Sequence, residues 1–127
     1  MKTIIKTDKA PAPIGPYNQA IAVHGHLVFT SGQIPLDPKA GNIIGTTISE
    51  QTKQVCENLR ELLHASHTGL AQVVKTTVYL KSMNDFQNMN EVYAQYFGSS
   101  SPARTTVEVS RLPKDVLVEI DLVAFIP

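Results

Sequence analysis

The last quarter of the chain holds the residues best suited to chemistry. Pro102-Ala103-Arg104-Thr105-Thr106-Val107-Glu108-Val109 leads into Leu112-Pro113-Lys114-Asp115 and then Val118-Glu119-Ile120-Asp121. The first and last of these runs alternate like strands. Arg104, Thr106 and Glu108 therefore share one strand face, and Glu119 and Asp121 share one face of another. A guanidinium is a planar fork of donors that matches a carboxylate ligand. The same arginine also suits a structural ion pair with a neighbouring acid, and these residues alone leave both readings open.

Other reactive groups are sparse. His24 and His26 flank Gly25, and His64 and His67 sit three apart near a helix end. No carboxylate or thiolate has the local spacing to complete a metal site with them, so no metal is expected. Cys56 follows Val55 inside a helical pattern and reads as a small buried hydrophobe rather than a nucleophile. The chain lacks a phosphate-binding glycine loop, a dinucleotide-binding GxGxxG, a CxxC, an HExxH and a GxSxG. No cofactor is expected.

The elements that must position Arg104 and Glu119 follow from periodicity and punctuation. Lys2 to Ile5 reads as a short edge strand, and the proline-rich segment Ala10 to Tyr17 as an ordered loop. Asn18 to Val23 and Leu27 to Ser31 are β-rich runs, with His24-Gly25-His26 as the turn of a tight hairpin. A helix starts at a Thr47/Glu50 capping box, buries Val55, Leu59, Leu62 and Leu63, and stops before Gly69. Val73 to Leu80 is a strand. A second helix over about Asn84 to Phe97 buries Phe86, Met89, Tyr93, Tyr96 and Phe97, capped by Ser82 or Asn84. Arg104 to Val109 and Val116 to Phe125 complete a ββ-α-β-α-ββ order. That order predicts one α+β domain over residues 1–127, with two helices on one face of a sheet.

The chain has 127 residues, 43% hydrophobic and 17% charged, enough for one core without staples. Eleven basic residues balance eleven acidic ones, so no broad field draws the chain to nucleic acid or anionic lipid. The low charged fraction and the uncovered sheet face both predict assembly with further copies. A single cysteine fits a reducing compartment. Met1 to Pro13 has only Ile4-Ile5 as an apolar pair and does not read as a signal peptide. A cytoplasmic protein is expected.

Seven segments, in this order, resemble the RidA/YjgF family of reactive intermediate deaminases. They are Ala12-Pro13-Ile14-Gly15-Pro16-Tyr17, Thr30-Ser31-Gly32-Gln33-Ile34-Pro35, Val74-Lys75-Thr76-Thr77-Val78-Tyr79-Leu80, Asn84-Asp85-Phe86 with Met89-Asn90, Pro102-Ala103-Arg104, Arg111-Leu112-Pro113-Lys114-Asp115, and Val118-Glu119-Ile120. The resemblance spans essentially the whole chain. It implies a chorismate-mutase-like fold assembled as a homotrimer, sheets facing inward, with the site in the cleft between neighbouring subunits. It implies hydrolysis of 2-imino acids such as 2-iminobutanoate and 2-iminopropanoate, or their enamine tautomers, to 2-keto acids and ammonia, without a cofactor.

Carried over by position, the resemblance makes Arg104 the group that binds the substrate carboxylate and Glu119 the acid that positions the attacking water. Tyr17, Ser31, Gly32 and Asn90 line or shape the cleft. Relatives often carry cysteine at position 106; Thr106 excludes thiol chemistry there and leaves its backbone N–H for the substrate. Bland readings stand beside these roles. Tyr17 also fits a core position, Asn90 also suits the satisfaction of backbone groups, and Ser31-Gly32 also reads as a strand end that only glycine fits. Two rival functions share the arginine or the family: a non-catalytic trimer that senses small carboxylates, and a ribonuclease or translation inhibitor, which the balanced charge disfavours.

Overall fold

The computed structural model describes residues 2–127. Six strands and two helices form: β1 (Lys2–Ile5), β2 (Ala20–Val23), β3 (His26–Phe29), α1 (Ile48–Ala65), β4 (Val73–Leu80), α2 (Phe86–Phe97), β5 (Ala103–Glu108) and β6 (Val118–Ile126). The main sheet has the order β3-β6-β4-β5, with β4 and β5 parallel and the other neighbours antiparallel. β1 and β2 make a separate antiparallel ribbon. Asn18, just ahead of β2, bridges to Ala103 at the start of β5.

α1 begins where the sequence signals it. The Thr47 hydroxyl accepts from the Glu50 N–H at 3.2 Å, and the Glu50 carboxylate accepts from the N–H groups of Thr46 and Thr47. Two donors that a helix start leaves unpaired are thereby satisfied. Glu50 comes this close because position 45 is glycine: at φ +89° a Cβ there would lie 2.6 Å from that of Glu50. The helix ends one turn earlier than the Gly69 reading required. His67 takes the left-handed conformation, φ 61°, and the N–H groups of Thr68 and His67 return to the carbonyls of Leu63 and His64. This is the bonding of a Schellman cap with histidine in the place usually held by glycine. Gly69 is extended and caps a short 3-10 turn. α2 follows a 3-10 turn whose first residues are capped by the Ser82 hydroxyl, which accepts from the Asn84 N–H.

Both helices pack on one sheet face. Val55, Cys56, Leu59 and Leu63 of α1 and Met89, Tyr93 and Phe97 of α2 meet Val73, Val78 and Leu80 of β4 and Val118, Ile120, Leu122 and Ala124 of β6. Each buried Val, Leu, Ile, Met or Phe among them contributes about 1.5–3 kcal/mol by leaving water. Leu62 departs from the expected stripe and stays 39% exposed. On the opposite sheet face no helix packs. There Lys75, Thr77 and Tyr79 of β4 lie beside Val123, Asp121 and Glu119 of β6, with Phe29 70% and Leu27 43% exposed on β3.

The hairpin expected about His24-Gly25-His26 does not form. β2 pairs with β1, and β3 pairs with β6. Of the two central residues only Gly25 has positive φ, +130°, so the backbone swings away instead of closing a primed turn. β3 pairs with β6 instead, where Val28 lies opposite Ala124 on the helix-covered face.

The last two strands do not pair with each other. β6 inserts between β3 and β4, leaving β5 at the far side of β4.

Candidate functional site

The seven singled-out residues separate into two groups on opposite sheet faces. Arg104 pairs in register with Thr76 of β4, whose side chain is buried and bonds to Tyr93 of α2; Arg104 therefore points to the helix side. Glu119 pairs with Tyr79, on the face without helices. Because β4 lies between their strands, one chain cannot bring the two together.

The first group is built around Arg104. Its Nη1 donates to Asn90 Oδ1 at 2.7 Å. Its guanidinium carbon lies 4.8 Å from the ring centre of Tyr93, 5.3 Å from that of Tyr17 and 5.6 Å from that of Phe86. Among the described residues the ion pairs are Arg60–Glu57 and Arg111–Asp115, and Arg104 belongs to neither. The structural ion-pair reading is thus overturned. Burial lowers the Arg104 pKa, opposed in part by Tyr93 and Tyr17 and by no carboxylate. Aromatic faces attract the cation without consuming its N–H donors, so most of the fork stays free.

Loop and helix deliver these partners. The Asn18 side-chain amide donates to Ser101 O at 2.6 Å and moors the proline-rich loop to the start of β5. Tyr17 N–H donates to Gly15 O, and Ile14 N–H donates to the Tyr17 hydroxyl. A Cβ at Gly15 would press on both Arg104 Nη2 and the Tyr17 ring at 3.3 Å, so glycine lets the loop lie this close without displacing either. On α2, Phe86, Asn90 and Tyr93 follow at i, i+4 and i+7 and share one helix face. Thr106 lies two residues beyond Arg104 on the same face, its hydroxyl buried without a partner.

The second group is Glu119 with the Ser31-Gly32 loop. A Cβ on Gly32 would fall 1.8 Å from Glu119 Oε2, so the carboxylate lies directly on glycine backbone. Reciprocal Gln33–Ile120 backbone bonds at 2.8 and 3.1 Å hold the loop, and the Asn58 amide donates to the carbonyls of Ile34 and Leu36. Ser31 is exposed beside it. Burial, reinforced by the charge of Asp121, raises the Glu119 pKa. A carboxylate of raised basicity is a better proton acceptor.

Sequence reasoning missed Phe86, Tyr93 and Gly15 as neighbours of the arginine. Phe86 and Tyr93 were legible only as core; the signal was Asn90, a polar residue interrupting their apolar stripe. Cys56 is buried and its thiol pKa is pushed far up, while all four histidines are exposed. Among the described residues no three His, Cys, Asp or Glu side chains cluster closely enough to hold a metal ion. No helix among them is long and apolar enough to cross a membrane.

The profile of the family described as Endoribonuclease L-PSP matches residues 7–126. A protein named RutC family protein from Pyrococcus horikoshii is 58% identical over 125 residues, 98% of each chain. The human protein named 2-iminobutanoate/2-iminopropanoate deaminase is 44% identical over 98% of this chain and 90% of its own. A crystal structure of E. coli TdcF with bound serine superposes with a TM-score of 0.74 at 40% identity, covering 97% of this chain and 98% of that one.

Proposed function

The chain belongs to the Endoribonuclease L-PSP family, that of the RidA/YjgF proteins, and on that premise we propose that it hydrolyses 2-imino acids to 2-keto acids and ammonia. The observation that carries this reading is Arg104: half-buried, ringed by three aromatic faces, and without an acid of its own chain to neutralise it. A desolvated cation lacking a counter-charge is costly, and a small carboxylate relieves the cost. A relative with bound serine and another named for 2-imino acids fit such a ligand.

The site is completed by a second copy. Arg104 of one protomer holds the substrate carboxylate, with Asn90, Tyr17 and the Thr106 N–H around it. The neighbour's open sheet face brings Glu119, backed by Gly32 and Ser31. A homotrimer with inward-facing sheets accomplishes this and covers exposed Leu27, Phe29 and Val107.

The reaction is then mostly positioning. Two charge-assisted bonds from Arg104 fix the carboxylate and hence the adjacent iminium carbon. Glu119 accepts a proton from water as its oxygen bonds to that carbon, and the C=N π pair moves to nitrogen. The protonated Glu119 returns the proton to the amine of the resulting carbinolamine. The C–N bond breaks, ammonia departs, and the hydroxyl oxygen forms the ketone as it loses its proton, which ammonia takes up. Iminium and water thus become keto acid and ammonium.

The test is production of 2-oxobutanoate from 2-iminobutanoate generated in situ by a threonine dehydratase. The unsubstituted protein speeds keto-acid formation, and Arg104→Ala abolishes the increment while folding normally. A protein that binds 2-oxobutanoate without turnover would instead be a carboxylate sensor. The word endoribonuclease in the family's description finds little support in a chain of zero net charge.

A further inference from the structure

Resting on that reading, we propose that Asp121 and Tyr79 are positioning residues for Glu119, holding its carboxylate against Gly32 with the Asp121 charge beside it. Glu119 and Asp121 are two apart on one strand face, and Tyr79 stands directly opposite Glu119 across the β4–β6 pairing. The Tyr79 hydroxyl reaches diagonally past Glu119 and donates to Asp121 Oδ2 at 3.1 Å. Tyr79 is thereby tethered beside Glu119 on the same sheet face, and the Glu119 carboxylate rests on Gly32 backbone. The tether also fixes the Asp121 carboxylate one strand repeat from Glu119.

The other charges that β4 brings to this side are Lys75, whose ammonium donates to the Thr105 hydroxyl at 2.9 Å and stays cationic, and exposed Lys81 just beyond the strand; both are common to every variant compared, and Thr77 is uncharged. β5 offers Thr105 and Val107, and β3 offers Leu27 and Phe29, none of them titratable. The loop beside Glu119 brings Thr30, Ser31, Gly32 and Gln33, also uncharged. Of the charges in the same chain, Asp121 is the one that reinforces the effect of burial on Glu119. The neighbour's Arg104 stays cationic throughout and is common to every variant compared.

Removing the Asp121 charge makes Glu119 a weaker base, so the acid limb of kcat/KM moves to lower pH. At the pH where the unsubstituted enzyme has fallen to half its plateau, Asp121→Asn retains about two-thirds or more of its own. Its plateau is lower and its KM unchanged. Asp121→Glu keeps the charge and restores the original limb. Tyr79→Leu removes the flank and lowers kcat with KM held. A purely structural role would lower Tm and leave the acid limb in place. The carboxyl 13C titration of Glu119, followed by NMR, reads the same effect without turnover. A Glu119 midpoint that does not move in Asp121→Asn overturns the inference. A midpoint that moves in a protein without imine turnover upholds the effect on Glu119 and sinks the hydrolase reading instead.

Discussion

Arg104 is held by attraction that leaves it hungry for an anion. Three rings and one amide oxygen fix the guanidinium, and none supplies the negative charge that burial calls for. At Gly32 the constraint is steric: Gly32→Ala forces the Glu119 carboxylate off the backbone it rests on. Turnover in that variant should fall at least about tenfold with keto-acid affinity nearly kept, because the carboxylate-binding group is untouched. Comparing kcat with the dissociation constant of 2-oxobutanoate checks this. Glu119 also sets a pH dependence. Its pKa is raised, so in the proposed reaction it would act as a base above that pKa, and kcat/KM should decline as acidification protonates it. Glu119→Gln removes both the activity and that limb. At this scale much was legible: strand alternation put Arg104 and Thr106 on one face and Glu119 with Asp121 on another. The rings around Arg104 were hidden, because an apolar stripe does not say which of its members will touch a charge.

Local signals placed the helices and most strands, since each is written in a few consecutive residues. The Thr47/Glu50 box and the alternation of Val73 to Leu80 are of that kind. Pairing was less accessible. The contest between a β2–β3 hairpin and the β3–β6 ladder is decided by partners about a hundred residues apart, where Val28 meets Ala124. The end of α1 was misplaced because histidine, not glycine, occupies the left-handed cap position. That makes a prediction. His67 bears the strain of φ 61° with an exposed side chain, so His67→Gly should raise stability by roughly 0.5–1 kcal/mol. Urea unfolding of the two proteins measures it, and unchanged or lowered stability would show that the histidine side chain contributes something the cap geometry does not reveal.

On the proposed function the molecule as a whole presents half of a site on each side of its sheet. The low charge count and the helix-free face already suggested further copies, but the division of labour between faces was not readable. It depends on β6 entering the sheet between β3 and β4, a long-range choice that no local pattern encodes. The central claim, that Arg104 of one copy works with Glu119 of the next, is tested most directly by mixing two dead variants. Arg104→Ala and Glu119→Gln proteins are unfolded together, refolded at equal concentration, and assayed for imine hydrolysis. Random assembly pairs an intact Arg104 with a neighbour's intact Glu119 in about a quarter of the sites, and about a quarter of the unsubstituted activity should return. If the mixture stays as inactive as its parents while a control mixture with unsubstituted chains exchanges subunits, the two residues do not act across an interface and the account fails.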